Sequence, residues 1–152
     1  MMSKLPDGAG WRRRVLIIVE NLPVPFDRRV WSEATALRQA GYVVSVICPK
    51  GRGYETSEET LEGIHIYRHA LPLEARGVAA YLIEYPVALF WEFVLSTRVA
   101  RRQGFDVIHA CNPPDLIFLI GWLYRLFGKS FVFDQHDINP ELYEAKLLPN
   151  NR

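Results

Sequence analysis

Continuous apolar runs alternate with helix-like segments along this chain, and that alternation restricts the fold more than any other feature. Residues 15–19 carry no polar side chain, which is typical of a parallel strand that is covered on both faces. Asp27 is a suitable N-cap for a helix over residues 28–40, and Gly41 is well placed to end it. Residues 42–48 then return to a strand pattern. The fold therefore begins with a strand, a helix and a second strand.

The same alternation continues toward the end of the chain. The remaining predicted elements are a loop over 50–62, an edge strand with one wetter face over 64–70, a connector over 71–77, a helix with Pro86 in its first turn that ends near Arg102, a strand over 105–110, a helix over 115–127 and a strand over 130–133. An earlier helical turn around Tyr81 stays open. Strands and helices that alternate through short connections are joined by right-handed crossovers. The sequence therefore predicts an α/β fold: a doubly wound, mostly parallel, Rossmann-like sheet with helices on both faces.

Length and composition limit the class of protein. A chain of 152 residues with 49% hydrophobic residues fits one globular domain. The formal net charge of +1 provides no overall attraction to nucleic acid, which is not an expected partner. Two cysteines are too few for a disulfide framework, which indicates a reducing compartment and a cytoplasmic location.

The segment 78–102 is long and largely apolar, but Glu84, Pro86 and Glu92 interrupt it. Carboxylates near the centre of a spanning helix are costly, so we predict no transmembrane segment. Two uses of its aromatic residues stay open: packing in the core, which the pattern favours, and contact with the inner face of a membrane. The three arginines near its end are Arg98, Arg101 and Arg102.

The first strand-to-helix loop is unsuited to a nucleotide phosphate. A dinucleotide site needs a glycine-rich turn, whereas residues 20–26 supply two prolines, so no cofactor is expected here. Arg28 and Arg29 stand in the first turn of the following helix, where the helix dipole disfavours cations. Two explanations stay open: Arg28 pairs with Asp27 and Arg29 with Glu33, or the arginines and the helix N-terminus hold a phosphate.

Polar residues follow the strand predicted over 105–110. Asn112 offers both a donor and an acceptor, which suits a sugar hydroxyl. His109 and Cys111 are two positions apart and should share a face of the strand. For His109, a hydrogen-bonded core residue and a catalytic base are both open. Asp115 is expected to cap the next helix.

A second polar cluster follows the last predicted strand and contains Asp134, His136 and Asp137. A carboxylate beside an imidazole fixes its tautomer and raises its basicity, as deprotonation of a hydroxyl requires. The alternatives are a loop of capping and turn residues and a metal site. No convergent ligand spacing supports the metal site, and we predict none.

Four segments together resemble the amino-terminal domain of family 4 glycosyltransferases with the GT-B fold. They read FDRRVWSE over 26–33, GYVVSVICP over 41–49, DVIHACNPPD over 106–115 and FDQHDINPELYEAK over 133–146. The resemblance covers about residues 14–147. It implies a tail over 1–13, a Rossmann-like acceptor-side domain over 14–147 and a truncated end over 148–152.

The resemblance implies retaining transfer of a sugar from a nucleotide-sugar to the hydroxyl of a glycan or lipid-linked sugar. In such enzymes a carboxyl-terminal domain holds the donor through a paired-glutamate motif, and this chain has no counterpart of that motif. We therefore expect the donor to be bound by a missing domain or a partner subunit, and the chain to be inactive alone. The alternative is a non-catalytic Rossmann-like module that recruits a partner.

The resemblance also assigns site residues. The implied catalytic residues are His136 and His109, and the implied acceptor-binding residues are Asn21, Asp27, Arg28, Arg29, Cys111, Asn112 and Asp137. Many relatives have a histidine at the position of Cys111, and a thiol replaces it as a base only if its pKa is lowered. No metal is expected. Lipid-linked acceptors would place the protein in peripheral contact with the inner membrane face.

Overall fold

The computed structural model describes residues 13–70, 78–111 and 115–134. The described elements, in chain order, are β1 (Arg14–Val19), α1 (Arg28–Gln39), β2 (Val43–Pro49), β3 (Glu58–Leu61), β4 (Ile64–His69), α2 (Val78–Arg102), β5 (Val107–Cys111), a short 3-10 turn (Asp115–Ile117), α3 (Phe118–Arg125) and β6 (Ser130–Asp134). The strands form one six-stranded sheet in the order β3-β4-β2-β1-β5-β6. All neighbours are parallel except β3 and β4. The predicted Rossmann-like α/β fold is confirmed.

The outer strand β3 corrects two predictions. Residues 50–62 are not all loop, because Glu58–Leu61 pairs antiparallel with β4, and β4 is consequently not an edge strand. Every residue of β4 except His65 is buried, so the predicted wetter face is also wrong. Strand β3 was not predicted from the sequence because it is short and carries Glu58 and Glu59, two charged residues that an edge strand tolerates.

The central strand β1 divides the core into two halves. Val15, Ile17 and Val19 pack toward α1, whereas Leu16 and Ile18 pack toward α2 and α3. Each of these side chains is at most 5% exposed, and burying an aliphatic side chain contributes roughly 1.5–3 kcal/mol. The continuous apolar run in the sequence therefore reflects helices on both faces of the sheet.

The boundaries of α1 follow from its own residues. The Asp27 carboxylate accepts hydrogen bonds from the backbone N–H groups of Arg29 and Val30, as the predicted N-cap should. At the other end Gly41 adopts a φ of 92°, which a side chain would strain. Val30 and Ala34 are buried against the sheet. This anchoring fixes the polar side chains of α1 relative to the strands.

The predicted starts of the other two helices were wrong. Helix α2 begins at Val78 with Pro86 inside it, because the apolar pattern continues through the proline. Helix α3 begins at Phe118 after the 3-10 turn, and its N-cap residue Ile117 makes no side-chain cap, so Asp115 does not cap it. Gly121 lets α3 approach β6 closely, since a Cβ there would lie 2.2 Å from the Phe131 ring.

Helix α2 buries only part of its surface. Phe90, Trp91 and Phe93 are 59%, 41% and 38% exposed, so the favoured prediction of core packing is wrong for these three. Arg98 and Arg102 both form ion pairs with Glu58 of β3. Among the described residues, no helix combines the length and apolar character that crossing a membrane requires.

Candidate active site

The candidate site lies where β1, β5 and β6 end on the α1 side of the sheet. The strand register places Val19 beside Cys111, and Cys111 beside Asp134. Ligands of open α/β sheets bind outside the carboxyl ends of the strands. The fold thus brings the polar ends of β5 and β6 to the expected edge.

His109 lies between two carboxylates. Its Nδ1 is 2.6 Å from Glu33 Oε1 of α1, and its Nε2 is 3.4 Å from Asp134 Oδ2 of β6. The hydrogen bond that the His109 ring donates to the Glu33 carboxylate raises the pKa of His109, as do the charges of Glu33 and Asp134, and these effects outweigh the opposing effect of burial. The ring side chain is 14% exposed, so it is held in place and still reaches the surface of the protein.

Cys111 shares a face with His109, as predicted. Its side chain is fully buried, and burial, reinforced by the Glu33 carboxylate, raises the pKa of the thiol to about 12. A thiol with such a pKa is protonated at neutral pH and is no general base. Cys111 therefore does not act as the base of this site.

Glu33 pairs with His109. The ion pair of Glu33 with Arg29, one of the two explanations left open for the arginines of α1, is not formed among the described residues. A signal for this was present: Glu33 adjoins Ala34 on the helical stripe that also contains Val30 and Leu37, so it is a carboxylate on the sheet-facing side of α1. Glu33, His109, Cys111 and Asp134 each place one ligand-type atom within 4.8 Å of the others.

The remaining predicted residues lie in the connection from β1 to α1, in the first turn of α1 or outside the described residues. Asn21 is exposed in the bend that follows β1, and Arg28 and Arg29 are exposed in the first turn of α1. The Asp27 carboxylate is used by the helix cap. The predicted site residues outside the described ranges are Asn112, His136 and Asp137.

A second buried carboxylate occupies the opposite face of the sheet. Glu92 of α2 has no exposed surface, and neither of its side-chain oxygens has a hydrogen-bond partner among the described residues. Burial raises the pKa of Glu92 well above its usual value, and the charge of Glu20 raises it further. Glu20 is itself buried and directly follows β1. In the sequence, Glu92 is recognisable only as an interruption of an apolar segment.

Solved structures share the architecture of this chain at low identity. A domain described as the C-terminal domain of a hydrogenase from Pyrococcus furiosus has a TM-score of 0.60 at 14% identity, with 85% of this chain and 96% of that one covered. Sucrose-phosphate synthase from Thermosynechococcus elongatus has a TM-score of 0.64 at 14% identity, with 91% of this chain covered. This chain spans 36% of the synthase. These likenesses show the fold alone.

The comparison with curated proteins yields no match. The family model described as a glycosyl transferase 4-like domain matches residues 27–149, which includes α1, β5 and β6 with the whole His109 cluster. The predicted resemblance is confirmed. The chain belongs to the glycosyl transferase 4-like domain family.

Proposed function

We propose that this domain forms the acceptor-binding wall of a retaining glycosyltransferase, which moves a sugar from a nucleotide-sugar to an acceptor hydroxyl. The observation that carries the proposal is the convergence of Glu33, His109 and Asp134 at the carboxyl ends of β5 and β6. Membership of the glycosyl transferase 4-like family supplies the reaction class. A glycan or a lipid-linked sugar is the acceptor.

In this proposal His109 contacts the acceptor hydroxyl. Glu33 holds the imidazole in one orientation, and Asp134 on the other side limits its rotation. A fixed imidazole with adjacent carboxylates suits both hydrogen bonding to a sugar and proton transfer. The proposed acceptor contacts are Asn21, Asp27, Arg28, Arg29, Asn112 and Asp137, and His136 is a second proposed catalytic residue. Cys111, which was also expected to contact the acceptor, is fully buried and does not face a bound sugar directly.

The donor nucleotide-sugar belongs to a separate part of the proposed active unit. The loop after β1 has no glycine-rich turn for a pyrophosphate. Its two prolines, Pro23 and Pro25, also lack the backbone N–H groups that would bind phosphate oxygens. We propose that a further domain or a partner subunit holds the donor, and that the 152-residue chain transfers no sugar alone.

Binding experiments test the proposal directly. Octyl glycosides of common hexoses should produce chemical-shift changes in the purified protein near His109, whereas uridine and guanosine diphosphates should bind weakly. His109→Ala should weaken glycoside binding at least about tenfold, because one polar contact to a bound group contributes roughly 1.5–3 kcal/mol when charged. His65→Ala is the matched control, since His65 lies on β4 with its Nδ1 against Thr60. Tight nucleotide binding, or equal effects of the two variants, would contradict the proposal.

We also propose a cytoplasmic location with peripheral contact to the inner face of the membrane. Aromatic side chains on α2 and α3 are exposed, including Phe90, Trp91 and Trp122, and Arg101 and Arg125 are exposed on the same helices. Aromatic rings beside cations favour the headgroup region of anionic membranes.

Sedimentation with vesicles of anionic and of neutral phospholipid tests this location. The protein should bind anionic vesicles, and the double variant Trp91→Ser and Trp122→Ser should lose most of that binding. Trp31→Phe is the control, because Trp31 is partly buried against the α1 side of the core. If both vesicle types fail to bind the protein, the exposed aromatic surface is better explained by the alternative function, a module that recruits another protein.

A further inference from the structure

Four side chains of the site carry different metal-ligating atoms at close range. The cluster combines one imidazole, one thiol and two carboxylates, and one ligand-type atom of each lies within 4.8 Å of the others. Three separate elements, α1, β5 and β6, supply these residues, and the register of β5 with β6 places Cys111 beside Asp134. Because helices and strands hold the side chains, the geometry of the cluster is fixed before any ligand binds.

Two distances separate the roles of these residues. His109 Nε2 lies 3.4 Å from Asp134 Oδ2. Nitrogen and oxygen ligands at about 2.0–2.1 Å from a tetrahedral zinc ion are themselves about 3.4 Å apart. Glu33 Oε1 and His109 Nδ1 are only 2.6 Å apart, which is too close for two ligands of one ion and suits a charge-assisted hydrogen bond. Glu33 is thus placed to orient the ring, and Asp134 to share an ion with it.

The second ring nitrogen of His109 supports the same assignment. His109 Nε2 has no exposed surface and, among the described residues, no partner with hydrogen-bond geometry. Buried nitrogen atoms are normally satisfied, so an unsatisfied one calls for a physical explanation. A metal-bound histidine donates its second N–H to a carboxylate or carbonyl, and the Glu33 contact at Nδ1 has this arrangement.

We propose that His109 Nε2, Cys111 Sγ and the Asp134 carboxylate bind one divalent cation of the zinc class, with Glu33 holding the imidazole. Cation binding displaces the Cys111 thiol proton, and a thiolate together with an imidazole selects zinc, cobalt or copper over magnesium and calcium, which prefer oxygen ligands. Three protein ligands leave a fourth position for water or another oxygen ligand. This site goes beyond sugar transfer and replaces the sequence expectation that no metal binds here. While the cation is bound it occupies His109 Nε2, so direct contact of the imidazole with an acceptor hydroxyl belongs to the metal-free protein.

Cobalt titration of the purified, metal-stripped protein tests the proposal without any sugar or donor. One equivalent of Co²⁺ should bind and produce the near-ultraviolet absorption of a thiolate-to-cobalt charge transfer, and Zn²⁺ should displace it. Cys111→Ser should remove the absorption, Asp134→Asn should weaken Co²⁺ binding at least about tenfold, and Glu33→Gln should weaken it by roughly 10–100-fold. Mg²⁺ should not compete.

The second cysteine provides a matched control. Cys48 is also buried and free, but it lies in β2, where its Sγ accepts a hydrogen bond from the Val24 N–H. Cys48→Ser should keep both the absorption and the stoichiometry. If Cys111→Ser fails to fold, as judged by circular dichroism, the test rests on Asp134→Asn. This variant should need a higher Co²⁺ concentration than the wild type to reach the same absorption. A wild-type protein that binds no Co²⁺, or an absorption that survives Cys111→Ser or is lost with Cys48→Ser, would overturn the proposal.

Discussion

Arg68 and Glu92 are equally buried charged residues, but their surroundings are opposite. The Arg68 side chain is 0% exposed, and its guanidinium donates to the backbone oxygens of Val24 and Thr56 and forms an ion pair with Glu59. Glu92 is 0% exposed, and in the part of the chain that the structure describes neither of its oxygens has a hydrogen-bond partner. A partnered buried charge holds elements together, whereas a buried carboxyl group without a partner destabilises the fold and is a candidate for a functional role.

The partners of Arg68 show what this residue holds together. Glu59 belongs to the outer strand β3, and Val24 belongs to the loop between β1 and α1. Arg68 therefore connects the edge of the sheet to the loop that leads into the candidate site. Glu92 makes no such connection, so its replacement should affect stability with the opposite sign.

The largest effect is expected for Arg68→Met. Removing the guanidinium leaves the buried Val24 oxygen without this donor and Glu59 without its cation, which should cost about 3–5 kcal/mol in the free energy of unfolding. Urea denaturation measures the change. Arg102→Met is the control and should cost less than about 1 kcal/mol, because Arg102 is 51% exposed in its pair with Glu58. Equal losses in the two variants would remove the distinction between partnered burial and surface pairing.

Glu92→Met should stabilise the protein by about 1–3 kcal/mol, because it removes a buried carboxyl group that has no hydrogen-bond partner. Glu92→Gln keeps the polar group but removes its titration.

The pKa of Glu92 is raised in the folded state. The folded protein therefore holds this proton, while the unfolded chain releases it above about pH 4.5. The stability of the wild-type protein should consequently fall as pH rises above about 4.5. Urea denaturation at about pH 5 and pH 8 should show this fall in the wild type and a smaller one in Glu92→Gln. Parallel pH profiles would show that Glu92 has partners in solution.

The smallest effect is expected at the surface pair of Arg14 and Asp106, which are 38% and 40% exposed. Slight burial raises the pKa of Asp106, but the hydrogen bonds and charge of Arg14 outweigh it, and the net pKa is lowered. The pair thus stabilises the fold above the ordinary pKa of an aspartate and loses this contribution as pH falls through the depressed value. Asp106→Asn should cost about 0.5–1 kcal/mol at neutral pH, and thermal unfolding should show the difference vanish in acid. A difference that persists in acid would assign the loss to packing.

Much of the fold could be predicted because local pattern and tertiary environment agree. The run over residues 15–19 is apolar at every position because both faces of β1 are covered, and Asp27 and Gly41 mark the ends of α1 through backbone chemistry. Prediction failed where the environment overrode the local pattern. Strand β3 carries two glutamates because it lies at an edge, and Pro86 lies inside α2 because the apolar sequence continues past it.

The candidate site was harder to predict than the fold because its residues come from distant parts of the chain. His109 was identified from its place near the end of a strand, but its partner Glu33 lies on α1, and only the packing of α1 against β5 joins them. Helical spacing could have placed Glu33 on the sheet-facing side, yet it could not have chosen His109 over Arg29. Glu92 shows the same limit, since burial without a partner is a property of the folded state alone.

The ion pairs of β3 make the two ends of the sheet unequal as sites for further construction. A segment added beside β3 would lie next to Glu58 and Glu59, whose carboxylates already pair with arginines of α2 and β4. Among the described residues, β6 is the strand at the opposite end of the sheet, with Val132 and Phe133 exposed. An engineered strand graft at β3 would therefore compete with ion pairs that join β3 to its neighbours, whereas one at the β6 end would meet apolar side chains.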